Sequence, residues 1–268
     1  MRKPLYLGFV NPAGGVGHST LAAVICSMLC YDCGVRLLAL DCDGAQGSFS
    51  DLRADDQASL SRDKAFRRRL AAWHDRLMVA PYPVERASVP HALQVAEDYV
   101  ARGCRRVPDL VVFDFPWYLS DPRVLDLVSR MDYLLFPLDL SQLGWERTQR
   151  ALHTLETCLA QRSMPLGRVL AVWSENGLHR PDFESWLAST SADLAARGYT
   201  LMPSLVDLGP NIHIGLRSKG FFGPFVRTLM SLAYGGEAGL GLDDLLRAMI
   251  AQLHLPVRIG HEMLKELW

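Results

Sequence analysis

The chain has 268 residues, 49% hydrophobic and 21% charged, which is enough apolar material for one large α/β unit and too much for a disordered chain. A formal net charge of -1 excludes a global pull toward nucleic acid or anionic lipid, so any such binding must rest on a local patch. The longest apolar runs fall short of a membrane span and six cysteines suit a reducing compartment, so the expectation is a cytoplasmic protein without a secretory leader.

Leu5 to Val10 reads as a first strand, and a helical pattern begins near Ser19. Between them runs Ala13-Gly14-Gly15-Val16-Gly17-His18-Ser19-Thr20. Strand, glycine turn and helix together make a phosphate cradle: the glycines aim backbone N–H groups inward, the helix N-terminus adds partial positive charge, and a hydroxyl can hold Mg²⁺. His18 stands where such a loop carries its lysine. A plain glycine-rich turn into a helix is the alternative. The helix itself is apolar nearly all round, so Cys26, Cys30 and Cys33 read as small buried hydrophobes, and no iron–sulfur cluster is expected on them.

Gly34 ends that helix, and Val35 to Leu40 forms a second strand closing on Asp41-Cys42-Asp43, at the edge where open α/β sheets gather ligands. Gly44 to Asp56 reads as loop. Arg62 to Trp73 reads as a basic helix containing Arg67-Arg68-Arg69, Leu77 to Ala80 as a short apolar run, and Pro90 to Arg102 as a further helix. Asp109 to Asp114 is a buried strand that also ends in an acid. Next come a helix (Pro122 to Arg130), a strand (Tyr133 to Phe136), a long helix (Gln142 to Arg162), a strand (Arg168 to Trp173), a turn at Asn176-Gly177, a helix (Pro181 to Arg197) and a short strand (Tyr199 to Met202).

This alternation predicts an α/β fold with a doubly wound, mostly parallel sheet and helices on both faces. Leu208 to Gly223 is irregular, while Phe225 to Ala233 and Leu242 to Leu253 look helical. Ile259, Met263, Leu264, Leu267 and Trp268 fall at helical spacing among charged residues; this amphipathic end either packs on the protein's own body or anchors to a membrane or partner. One domain over 1–268 is expected, with 236–268 as a helical extension.

Three elements in this order, the glycine loop, Asp41-x-Asp43 with Gln46 and Gly47, and Asp114-x-Pro116, resemble the ParA/MinD family of deviant Walker-type P-loop ATPases over roughly residues 4 to 235. The resemblance implies an ATP-dependent dimeric switch that positions plasmids, chromosomes, division machinery or secretion assemblies. By position it implies that the N–H groups of Gly14, Gly15, Val16, Gly17, His18, Ser19 and Thr20 hold the phosphates and that Asn176 lies beside the adenine. Ser19, Asp41 and Asp114 would hold Mg²⁺, Asp114 through water, and Asp43 would orient the attacking water.

Two departures follow from the same comparison. Ala13 replaces the lysine that reaches across the dimer, and His18 replaces the lysine on the β/γ phosphates. Phosphoryl transfer is mainly charge stabilisation, and losing one such donor costs about 2.7–4 kcal/mol of barrier, or about 10²–10³ in rate. Weakened binding of ATP or ADP with Mg²⁺ is therefore expected, with very slow or absent hydrolysis. The alternative is a catalytically dead scaffold that acts as a constitutive interaction module. A homodimer and a protein partner within a larger assembly are expected, with recruitment to membrane or nucleoid as a further option. Nonspecific DNA binding through Arg67, Arg68, Arg69, Arg102, Arg105, Arg106, Arg217 and Lys219, and membrane contact through 258–268, are the less favoured readings.

Overall fold

In the computed structural model the described residues are 3–10, 18–43, 47–102, 107–116, 121–138, 142–173, 183–203, 228–229 and 242–259. Among them the chain forms seven strands: β1 (Leu5–Phe9), β2 (Leu37–Asp41), β3 (Val84–Arg86), β4 (Leu110–Asp114), β5 (Tyr133–Leu138), β6 (Arg168–Trp173) and β7 (Thr200–Leu201). Eight α-helices join them: α1 (His18–Tyr31), α2 (Ser48–Arg62), α3 (Lys64–Leu77), α4 (Ala92–Ala101), α5 (Pro122–Val128), α6 (Gln142–Gln161), α7 (Phe183–Ala196) and α8 (Leu242–Leu253).

All pairings are parallel, in the order β3-β2-β4-β1-β5-β6-β7. Parallel strands require crossovers, and the helices that supply them must cover both faces of the sheet. Each buried strand therefore feeds two cores. On β4, Leu110 and Val112 face the core built with α1, α2, α3 and α8, through Leu29, Leu60, Trp73 and Met249. Val111 and Phe113 face the opposite core, built with α4 to α7 through Ala96, Leu125, Leu155 and Leu194. The doubly wound expectation thus holds, and the sheet is wholly parallel among its described strands. α8, within the expected C-terminal extension, contributes Leu245, Met249 and Leu253 to the first core.

Two expectations need correction. Most of the stretch from Gly44 to Asp56, read as loop, is helix: α2 starts at Ser48. Its inward positions Phe49, Leu52, Asp56 and Leu60 have helical spacing, but a buried aspartate among them breaks the apolar pattern. β3 falls at Val84–Arg86, beyond the apolar run at Leu77 to Ala80. It is a three-residue edge strand with two exposed polar side chains, which leaves no hydrophobic signal.

Candidate functional site

The carboxyl ends of β1, β2 and β4 lie side by side, and the geometry of the acids follows from strand register. Asp114 is the partner of Phe9 on β1 and of Asp41 on β2. The Cys42 N–H donates to the Asp114 carbonyl at 3.0 Å, and the Phe115 N–H donates to the Phe9 carbonyl at 3.0 Å, so this edge is stitched one residue past the strands. Gly8 on β1 has no side chain where the ring of Phe115 crosses it; a Cβ there would come within 2.5 Å of the ring. That close approach brings the backbone after Asp114 down onto β1.

Asp41, Asp43 and Asp114 are all buried, and so is Ser19 on the first turn of α1. Burial raises the Asp114 carboxyl to about 8, the negative charges of Asp41 and Asp43 push in the same direction, and a hydrogen bond with the Ser19 side chain opposes them. Asp41 makes its own contacts to backbone N–H groups. Its Oδ2 accepts the Ser50 N–H at 2.8 Å and its Oδ1 accepts the Asp43 N–H at 3.2 Å, so it caps the start of α2 from across the sheet edge.

The Gly47 N–H, just before α2, donates to the Asp43 carbonyl at 2.6 Å. Gly47 has φ 57°, the left-handed region that glycine adopts without a steric cost. Arg86, the register partner of Asp41 on β3, pairs with Asp51 and places its Nη2 3.5 Å from the Gly47 carbonyl. Arg86 thus braces the start of α2, whose Gly47 N–H reaches the Asp43 carbonyl. It went unnoticed in the sequence because β3 itself left no signal there.

Ser19, Thr20, Asp41, Asp43 and Asp114 are therefore brought to one edge, and His18 begins α1. Gly14, Gly15, Val16, Gly17, Ala13, Gln46 and Asn176 lie outside the described residues. Among the described residues no three His, Cys, Asp or Glu side chains converge on a common metal position. The oxygen donors present nevertheless suit Mg²⁺, which keeps several waters and takes only one or two protein ligands beside phosphate oxygens. A carboxyl group buried between two other acids also gains from a cation beside it.

Cys26, Cys30 and Cys33 are buried in the first core, and burial drives Cys30 and Cys33 up to about 12, so they remain neutral thiols. Arg67, Arg68, Arg69 and Arg102 are exposed, whereas Arg105, Arg106, Arg217 and Lys219 lie outside the described residues. No described helix is long and apolar enough to cross a membrane.

No protein-family model matches the chain, and no curated protein matches its sequence. Its fold does match solved structures. A ParA family ATPase from Chlorobium tepidum shares 15% identity over 91% of this chain and 96% of its own, with a TM-score of 0.55. An ATP complex of a McdA variant from Cyanothece shares 15% over 96% and 99%, also at 0.55. A plasmid partition protein from Borrelia burgdorferi bound to AMPPNP shares 12% over 94% and 100%, at 0.54. At these identities the likeness is one of fold: the chain shares the doubly wound α/β fold of these ParA-type structures, as expected.

Proposed function

We propose that this chain is a ParA-like nucleotide-binding switch that positions or assembles a partner machine, and that it hydrolyses ATP weakly or not at all. The observation that carries the reading is the cluster of Asp114, Asp41, Asp43 and Ser19 at one sheet edge, directly beside the start of α1. Burial near Asp41 and Asp43 pushes the Asp114 carboxyl up to about 8, and a cation beside it would favour its charged form.

In this reading Mg²⁺ held beside the nucleotide supplies positive charge to the phosphates. Ser19 offers its hydroxyl to the metal, and Asp114 holds it through water. Asp41 holds the N–H groups of Asp43 and Ser50, and Asp43 is the residue that would orient the attacking water. By the resemblance of the motif, the N–H groups of Gly14 to Thr20 would hold phosphate, and the N-terminus of α1 would add its dipole. His18 supplies charge only when protonated, which an adjacent phosphate favours. The solved ParA-type structures with ATP or AMPPNP bound support the nucleotide by analogy of fold. Two copies form the working unit, and the partner is a protein assembly.

The second reading, a scaffold that has lost its nucleotide cycle, is favoured by one specific feature: Ala13 and His18 remove both cations of the loop. Size-exclusion with light scattering, with and without Mg-ATP and beside a phosphate-release assay, separates the two. Dimerisation that depends on nucleotide, with little release, is the result expected of the switch. Indifference to nucleotide in mass and in calorimetry at pH 6 overturns it in favour of the scaffold.

A further inference from the structure

A second concave site lies at the opposite edge of the sheet, beneath the amino ends of β2 and β4. It is a cavity of about 610 Å³, within the size range of small-molecule sites. Leu37 at the start of β2, Leu77 and Val79 after α3, Tyr82, Pro83 and Ile259 give it apolar walls. Cys30 also lines it, as a neutral thiol. Arg36 and Arg258 are the only charged residues among the described residues of its lining.

Those two arginines share one carboxylate. Asp109 accepts from Arg36 Nε and Nη2 at 3.1 and 2.8 Å, and from Arg258 Nη1 and Nη2 at 2.6 and 3.0 Å. These contacts hold Asp109 well below the usual carboxylate range against the desolvation of its burial, so it stays charged at any ordinary pH. Two guanidinium groups against one carboxylate leave one net positive charge at the cavity. The Asp109 side chain is 9% exposed while Arg36 and Arg258 are 37% and 39% exposed, so the positive groups are the ones that meet solvent.

The cavity wall is built from distant parts of the chain. The Arg258 N–H donates to the Cys33 carbonyl at 2.8 Å, and Arg258 Nη1 donates to the Gly34 carbonyl at 3.0 Å. Gly34, at φ 68°, lets the two segments close: a Cβ there would come within 3.0 Å of both Arg258 and Ile259. Beside the cavity, Met78 caps α3 in the left-handed conformation with its side chain 83% exposed.

We propose that this cavity binds a free single-chain amphiphile, its hydrocarbon body against Leu37, Leu77, Val79 and Ile259 and one anionic head group at Arg36 and Arg258. The apolar lining selects the body, and the single uncompensated charge selects a monoanion over a neutral or cationic head. A bilayer is a poorer match, because the apolar surface is concave and Met78 is the one large side chain of the lining that projects. The site is independent of the nucleotide reading, since it uses none of the residues at the carboxyl edge.

The test is calorimetric titration of the full chain with decanoate below its micelle concentration, in parallel with 1-decanol. One decanoate is expected per chain, bound about tenfold more tightly than the alcohol, which is the effect of one charge-assisted hydrogen bond. Arg258→Gln is expected to lower decanoate affinity by about the same factor and to leave the alcohol unchanged. Ala80→Trp, at an exposed position of the lining, is expected to abolish binding of both while the thermal transition stays in place. No decanoate binding, equal binding of acid and alcohol, or binding untouched by Ala80→Trp overturns the proposal. Two further results overturn it: association only with phosphatidylglycerol vesicles, and decanoate binding that appears only after residues 260–268 are removed.

Discussion

Asp41 and Asp114 are register partners at the ends of neighbouring parallel strands, yet they have divided their work. Asp41 commits an oxygen each to the N–H groups of Asp43 and Ser50, whereas Asp114 is shifted to about 8. One carboxylate shapes the loop, and the other is a proton reservoir that a metal can displace.

That division predicts a pH dependence for the metal-free protein. The folded-state pKa of Asp114 lies above its ordinary 3.8, so the folded chain holds this proton more tightly than the unfolded one. The contribution to stability is full below about 4 and is lost as the pH rises toward about 8. Mg²⁺ must displace the same proton, so its affinity should rise across that window. Urea unfolding at pH 5 and 8, with and without Mg²⁺, should show both trends in the parent protein, and both should be missing in Asp114→Asn.

His18 predicts the opposite sign for nucleotide. A histidine, unlike a lysine, can give up its positive charge near neutral pH, so affinity for ATP measured in EDTA, where the metal cannot contribute, should fall between about pH 6 and 8. Substituting lysine at both Ala13 and His18 should remove this fall. It should also raise phosphate release by about 10²–10³ if the loop alone limits turnover.

Arg36 and Arg258 hold Asp109 far below its ordinary pKa, so this contribution to stability is present above about 4 and is lost as the pH falls. Asp109→Asn leaves two partly exposed guanidinium groups without their shared acceptor. After allowance for solvent screening it should cost about 1–3 kcal/mol in urea unfolding at pH 7, with little further loss on acidification. Limited proteolysis should then cut first near Arg258.

Thr228 is gripped by two helices. Asp56 on α2 accepts its N–H and its hydroxyl at 2.7 Å each, Arg53 donates to its hydroxyl and carbonyl at 2.8 and 3.0 Å, and the Tyr31 hydroxyl on α1 donates to the same carbonyl at 3.1 Å. Thr228→Val keeps the shape and deletes the hydroxyl, leaving Asp56 and Arg53 each short of a partner inside the protein. The expected cost is about 1–3 kcal/mol, read from the shift in the denaturation midpoint at constant slope.

The Thr228 network also marks where the sequence was legible and where it was not. β1, β2, β4, β5 and β6 are strands that bury both faces, and such strands read as unbroken apolar runs. The acids at their ends were equally visible, because a strand's end fixes where its next residue points. α2 was hidden by Asp56, a buried acid to which a threonine 172 residues away donates twice. No local pattern records a partner at that distance. The same holds for Asp109, which reads as the first residue of a strand and proves to be the anchor for Arg258, 149 residues later.

The position of β1 in the sheet order has a consequence for how the chain is made. β1 precedes the other described strands in the chain, yet its two neighbours are β4 and β5, so one of its edges stays unpaired until Asp114 has been synthesised and the other until Leu138. At about 5–20 residues per second that is a delay of several seconds to tens of seconds, during which a five-residue apolar strand and the nearly all-apolar α1 wait without a sheet. The nascent chain is most vulnerable to aggregation in that interval. Chaperone dependence should therefore fall sharply in a circular permutant that places β4 and β5 ahead of β1.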